Sequence, residues 1–370
     1  MLPKNKKRIL ILSTAYLPLV GGAEIAVKEI TERLDDFEFE LITARLKSNL
    51  PKIETIGKVR VHRLGFGCWF DKIILAVWGA QYALSLHQKE NFDALWSVMA
   101  SFSGLAAVKF KRRLDLPFLL TLQEGDNLSQ VENKAKILGS WWKSIFTTAD
   151  QVQVISSYLK DWAIRHQAKK VEIIPNGVAT DIWHFRQDNN FQSKTLVTTS
   201  RLVAKNGVDL IIKSLPLLPE EISLHIAGVG REEVYLKQLT HNLGVEKRVV
   251  FYGFIEPEKL PAFLARFAVF IRPARSEGLG NSFLEAMAVG LPVVAPLVGG
   301  IKDFLVNRQT GFVIEPESPE SVAKVVKYVL DENNQAEVSQ VVTNARGMVE
   351  DKFNWDNIAT RFRALFNQML

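Results

Sequence analysis

The chain has 370 residues, of which 47% are hydrophobic and 23% charged, with a single cysteine, Cys68. These globular proportions exclude disorder, collagen and coiled coil, and the length suits about two domains. One thiol excludes a disulfide framework and a multi-thiolate metal site and fits a reducing compartment; the net charge is uneven, with 25 Lys+Arg against 18 Asp+Glu in residues 1–180 and 21 against 22 in residues 181–370.

In chain order, Lys4, Lys6, Lys7 and Arg8 precede the apolar run 9–20. A secretory signal has that order, and so has a buried strand that feeds a glycine loop and a helix. Thr14 and Pro18 interrupt the run, and after Gly21-Gly22 the residues Ala23, Ile25, Ala26, Ile30 and Leu34 fall on one helical face, which selects the strand. Further short β-branched runs predict strands at 39–43, 59–64, 94–98, 118–122, 151–155 and 171–174. A second set follows at 195–199, 223–227, 249–252, 269–271, 293–295 and 311–313. Helix-like stretches separate them, so parallel sheets covered on both faces are expected. The fold class is α/β, with two doubly wound Rossmann-like domains at 1–180 and 195–350, a polar linker at 181–194 and a closing segment at 351–370. Trp355, Ile358, Phe362, Leu365 and Phe366 give that last segment an amphipathic helical spacing. The apolar stretch 73–86 is too short to span a bilayer, which takes about 20 residues, and reads as a buried helix.

The strongest chemical signal is the stretch 274–288. An apolar strand at 269–271 precedes a loop with Gly278 and Gly280, and a helix is expected to begin near Asn281 or Ser282, either of which suits its cap. A helix start of this kind presents backbone N–H groups to an anion. Glu277 falls in the loop and Glu285 on the first or second helical turn, eight residues on. Such carboxylates accept hydrogen bonds from sugar hydroxyls; the plain alternative is a dipole-favouring Glu285 and a surface Glu277.

This stretch resembles the E-x(7)-E signature of retaining nucleotide-sugar glycosyltransferases of the GT-B fold, family 4 type (glycosyl transferases group 1). Further blocks resemble the same family in order: Pro18–Glu24, Ile174–Val178, Ser200–Gly207, Gly290–Ala295, Gly299–Asp303 and Thr310–Val313. The resemblance implies two domains facing across a cleft, with the C-terminal helix packing back toward the first. It implies a hexosyl transfer from a nucleoside-diphosphate sugar to a glycan or lipid-linked acceptor in cell-surface polysaccharide or glycoconjugate synthesis. It implies retention of configuration by front-face attack, no protein nucleophile, no metal and no cofactor beyond the donor substrate. Arg201 and Lys205 would neutralise the departing diphosphate, Arg as a planar fork and Lys as a point charge. Glu277 would contact the donor sugar and Glu285 the ribose. The amides around Gly280, Asn281 and Ser282 would hold the distal phosphate, and Gly21 and Gly22 would let the first-domain loop approach the phosphates. The commonest family pattern has a lysine one place after Lys205, where this chain has Asn206.

After the strand at 118–122 the family usually has a His, where this chain has Gln123. Gln hydrogen-bonds a hydroxyl but does not titrate, which excludes a general base at 123. Gln123 and Asp126 are candidates to orient the acceptor; Glu124 and Asp126 also have the spacing of an acidic metal pair, a reading the other blocks oppose. Lys109, Lys111, Arg112 and Arg113 around Phe110, with Trp69-Phe70 and Trp141-Trp142, give the basic half a surface suited to a lipid-phosphate-linked acceptor or an anionic membrane. A cytoplasmic enzyme, peripheral at the inner face of the membrane, is the expectation. Nucleic acid is not expected as a partner, since no binding motif accompanies the charge. A GT-B nucleotide-sugar epimerase and a non-catalytic sugar or nucleotide binder with a degenerate site are the alternatives; GDP-mannose and UDP-sugars both remain open as donors.

Overall fold

The computed structural model describes residues 6–186 and 193–370. It divides into two compact units. The first comprises the chain up to Glu124, Leu128–Asn176 and Trp355–Leu370; the second comprises Gly125–Asn127 and Gly177–Asn354.

The first unit is built on eight strands: β1 (Lys7–Ser13), β2 (Phe37–Ala44), β3 (Ile53–Ile56), β4 (Val59–Leu64), β5 (Ala94–Val98), β6 (Phe118–Leu122), β7 (Gln151–Val154) and β8 (Val171–Ile173). Their order across the sheet is β3-β4-β2-β1-β5-β6-β7-β8. Every pairing is parallel except β3 with β4. The run at 9–12 lies at the sheet centre, wholly buried, and the helix Gly22–Arg33 follows it. β3 is a strand that the sequence reading lacks. Its residues alternate between exposed and half-buried on the sheet edge, so no apolar run marks it.

The closing helix Trp355–Met369 belongs to this first unit. Phe362 and Phe366 lie with their ring centroids 5.6 Å from that of Trp96 on β5, and Phe366 meets Phe37 at 5.5 Å. Arg33 pairs with Asp356 at 2.8 Å and Arg363 with Asp36 at 3.1 Å around the rim of this aromatic cluster.

The second unit carries a six-stranded parallel sheet: β9 (Thr195–Thr199), β10 (Ser223–Ala227), β11 (Val249–Gly253), β12 (Val269–Ile271), β13 (Val293–Ala295) and β14 (Phe312–Val313), in the order β11-β10-β9-β12-β13-β14. Leu196, Ile226, Val269, Ile271 and Val294 form its core with Ile211, Val322 and Val326 from the covering helices. Successive strands step outward from β9 on one side and from β12 on the other. The switch point therefore lies between the carboxyl ends of β9 and β12, where open α/β sheets place their ligands.

Three expectations change here. Within the predicted linker 181–194, residues 187–192 lie outside the described residues. The part before them is packed, not free: Trp183 is buried, its carbonyl accepts from Arg346 at 2.6 Å, and Arg186 donates to Gly290 O at 3.0 Å. The stretch 73–86 is indeed helical, within Asp71–Glu90, but only one face is buried; Ile73, Val77 and Trp78 face solvent. Trp142, read as an exposed aromatic, is buried, and its Nε1 donates to Ala100 O at 2.9 Å. Among the described residues no helix is long and apolar enough to cross a membrane.

Truncating Phe366 removes a buried ring from the Trp96 cluster. Phe366→Ala is expected to destabilise the first unit by about 3–5 kcal/mol, read as a lower urea midpoint, whereas Gln368→Ala at an exposed position stays within about 0.5 kcal/mol.

Candidate active site

At the switch point of the second unit, the loops after β9 and β12 carry most of the residues singled out in the sequence. Arg272 follows β12 directly and is 7% exposed. Its guanidinium donates to the Glu277 carboxylate, to Ser282 Oγ at 2.6 Å and to Asn206 Oδ1 at 3.2 Å, and it stacks 4.9 Å from the centroid of the Phe283 ring. A charge buried this deeply is tolerated only when paired and hydrogen-bonded. Glu277, 9% exposed, completes the pairing, and its second oxygen accepts from the Gly278 amide at 2.9 Å. The loop path is fixed from below by Gly299. Its φ is +54°, a Cβ there would overlap the Glu277 carbonyl oxygen, and the next amide, Gly300, donates to that carbonyl at 3.1 Å.

The helix Asn281–Val289 starts from Gly280, whose φ is +98°, and no side chain caps it. This corrects the expected cap at Asn281 or Ser282. The Ser282 hydroxyl is drawn to Arg272 instead. A helix start without a side-chain cap attracts anions through its leading amides and dipole. Glu285 lies one turn along the same helix, and burial pushes its carboxyl up to about 7 against the opposing pull of Arg272.

On the β9 side, Arg201 is exposed, and its guanidinium makes no hydrogen bond or ion pair among the described residues. Its carbonyl accepts from Asn206 Nδ2 at 2.7 Å, so Asn206 joins the Arg201 backbone to the Arg272 guanidinium. Lys205 lies on a short 3-10 turn, pairs with Asp126 at 2.8 Å and donates to Gly125 O at 2.7 Å within the same unit. Arg275 ties the two loops together: it holds Asp209 at 2.8 and 3.1 Å and Glu317 at 2.6 and 2.9 Å, and its amide donates to Lys205 O at 2.7 Å.

The structure thus brings Arg201, Lys205, Asp126, Glu277, Gly280, Asn281, Ser282 and Glu285 into the second unit. Gly21, Gly22 and Gln123 belong to the first. Gly21 is the N-cap of the helix Gly22–Arg33, again without a side-chain cap. Gln123 follows β6 and its Oε1 accepts from Asn176 Nδ2 at 3.0 Å. Glu124 is buried, and one carboxylate oxygen accepts from the Ala100 amide at 2.8 Å. Among the described residues no group of three or more His, Cys, Asp or Glu side chains could hold a metal ion. Two features were missed. Arg272 was not singled out in the sequence, although a cation at the carboxyl end of a central parallel strand is itself a site signal. The hydroxyl cluster of Thr14, Ser101 and Ser103, with Thr14 and Ser101 2.8 Å apart, lies at the β1/β5 switch point of the first sheet.

The model of glycosyl transferases group 1 matches residues 180–348, and that of glycosyltransferase family 4 matches residues 20–182. The chain belongs to this family of glycosyltransferases. An uncharacterized glycosyltransferase of Methanocaldococcus jannaschii is 23% identical over 97% of this chain and 98% of its own length. A GDP-mannose-dependent alpha-(1-6)-phosphatidylinositol monomannoside mannosyltransferase of Mycobacterium tuberculosis is 32% identical over 57% of this chain and 60% of its own. Among solved structures, sucrose-phosphate synthase from Thermosynechococcus elongatus superposes with a TM-score of 0.87 at 21% identity, over 98% of this chain and 99% of that one, which shows the shared GT-B fold. In this glycosyltransferase the two family models change over at 180–182, close to the division of the units after Asn176.

Removing Arg272 strands the Glu277 carboxylate in a buried place. Arg272→Ala is expected to cost about 3–5 kcal/mol of second-unit stability in urea denaturation, and Arg272→Lys, which keeps the charge but not the fork, is expected to fall between it and the wild type.

Proposed function

We propose that this glycosyltransferase moves a hexosyl unit from a nucleoside-diphosphate sugar to a glycan or lipid-linked acceptor, with retention of configuration and without a metal. The observation that carries the reading is the combination, at one switch point, of a carboxylate locked by Arg272 and a helix start without a side-chain cap that bears a second carboxylate, Glu285. Diphosphate oxygens suit the amides of Gly280, Asn281 and Ser282. The Arg201 fork and the Lys205 ammonium neutralise the charge that grows on the leaving diphosphate, a preorganised stabilisation of the transition state. Glu277 accepts from a donor-sugar hydroxyl, and Glu285 accepts from the ribose. Gly21 and Gly22 keep the close approach to phosphate that the family resemblance gives them, and Gln123 and Asp126 keep the orientation of the acceptor.

In this mechanism the acceptor oxygen forms its bond on the face from which the diphosphate departs. The acceptor proton passes to a phosphate oxygen, so neither a protein nucleophile nor a protein general base is needed. Glu277, both of whose oxygens already accept hydrogen bonds, serves to hold the sugar and not to attack it. The mycobacterial relative, whose name specifies GDP-mannose and phosphatidylinositol monomannoside, supports a nucleotide-sugar donor and a lipid-linked acceptor. The basic first half supports work beside an anionic membrane, on the cytoplasmic side where nucleotide sugars are made.

Arg201→Ala and Lys205→Ala are each expected to lower kcat/KM by about 10²–10³, measured as diphosphate release from a panel that includes GDP-mannose and UDP-glucose. Activity undiminished in excess EDTA supports the metal-free reading; loss that Mg²⁺ or Mn²⁺ restores contradicts it. The anomeric proton of the product distinguishes retention from inversion, and an isomerised donor formed without acceptor identifies an epimerase. Ribose hydroxyls donate more strongly to a carboxylate than to a carboxylic acid. With Glu285 raised to about 7, nucleotide affinity is therefore expected to strengthen from pH 6 to pH 8 in calorimetry, and Glu285→Gln to flatten that dependence.

A further inference from the structure

Six large apolar side chains stand together in solvent on the first unit. Phe66, Trp69 and Phe70, which are 79%, 61% and 64% exposed, occupy the turn before the helix Asp71–Glu90. Ile73, Val77 and Trp78 continue from them along its outer face, with Trp78 63% exposed. The spacing of Phe70, Ile73 and Val77 makes one stripe, opposite the buried stripe of Leu75, Ala76, Gly79, Ala80 and Ala83.

The exposure of the three leading aromatics is built in. The buried Asp71 carboxylate accepts from the amides of Phe66, Gly67 and Cys68 at 3.0, 2.6 and 3.0 Å. Gly67 has a φ of +96°, and a Cβ there would overlap the backbone of Ser48. The turn is therefore fixed before any partner arrives, so little ordering remains to oppose binding.

Cations of the neighbouring helix Phe102–Lys111 and the turn after it lie beside this helix. Lys109 Nζ donates to Ala76 O of the same helix at 2.8 Å and lies 6.0 Å from the ring centroid of exposed Trp141; the Arg112 guanidinium lies 5.3 Å from it. Arg113 donates to Gln81 at 2.8 Å. Segments 66–82, 102–114 and 134–146 hold eight Lys or Arg and one acid, Asp71, whose carboxylate the three amides already occupy. Lys111 pairs with Asp115 and Asp150, and the other seven cations form no ion pair among the described residues.

Contiguous exposed aromatics mark an interaction surface. Aromatics beside unpaired Lys and Arg, with the exposed Asp115 held by Lys111, complement a surface that is apolar at depth and negative at its face. We propose that this face docks on an anionic lipid bilayer. Phe66, Trp69, Phe70 and Trp78 enter the headgroup–acyl boundary, and Lys109, Arg112 and Arg113 meet the lipid phosphates. The proposal deepens the membrane-side reading given above and rests on it.

The test is sedimentation of the full chain with vesicles of phosphatidylcholine alone or with about 30% phosphatidylglycerol. The wild type is expected to bind the anionic vesicles at least about tenfold more tightly than the neutral ones, and less tightly as salt rises. A Trp69→Ser, Phe70→Ser double variant and Trp78→Ser are each expected to lose about tenfold in vesicle affinity. Their diphosphate release from soluble donor is expected to be unchanged, since none of these residues is among the donor- or acceptor-site residues named above. A wild type that stays in the supernatant with anionic vesicles, variants that sediment as well as the wild type, or a dimer in light scattering that the double variant dissociates while vesicle binding is absent would each overturn the proposal. Failure of vesicle binding with donor turnover intact refutes the docking face and leaves the transferase reading standing; loss of turnover in Arg201→Ala bears only on the latter.

Discussion

A buried guanidinium at the end of β12 organises the second unit's site. Arg272 leaves water at a cost of several kcal/mol, which only a close set of acceptors offsets. Glu277, Asn206 and Ser282 are that set, and meeting the guanidinium dictates where each of them lies. The Glu277 carboxylate cannot swing away without stranding a charge. The Ser282 hydroxyl, on the first turn of the helix Asn281–Val289, meets Arg272, while the N-cap position is Gly280, which has no side chain to cap the helix. The fixed carboxylate thus follows from this interaction, and the anion-attracting helix start that Gly280 leaves uncapped lies beside it.

The same interaction gives a physical reason for the departure at position 206. Asn206 is buried, and its amide oxygen accepts from Arg272 while its nitrogen holds the Arg201 carbonyl. A lysine ammonium in that place would oppose the guanidinium and leave both polar contacts unmade. Lys205, one position earlier, carries its charge on the more exposed side of the turn and meets Asp126. Arg201 is left with its guanidinium unoccupied at the edge of the site.

Much of this was legible in the sequence, for identifiable reasons. Strands buried on both faces of a parallel sheet read as continuous apolar runs, so thirteen of the fourteen strands among the described residues were marked; β3 was not, because an exposed edge strand carries no such run. The spacing of Glu277 and Glu285 placed one in the loop and the other on the helix, where the structure has them. The role of Arg272 was illegible because its partners lie 66, 5 and 10 residues away, and only the parallel pairing of β12 with β9 brings Asn206 beside it. For the stretch 73–86, apolar composition suggested burial, but it does not reveal which neighbours a helix finds. Its outer face meets solvent, and the turn ahead of it is held open by Asp71.

The most direct test of the central claim is amide hydrogen exchange of the full chain with GDP or UDP added. If the β9–β12 switch point binds the diphosphate, whichever nucleotide binds in calorimetry will slow exchange at the first amides of the helix Asn281–Val289 and in the segment 200–207. Unchanged exchange in both segments, with calorimetry reporting binding, would contradict the account.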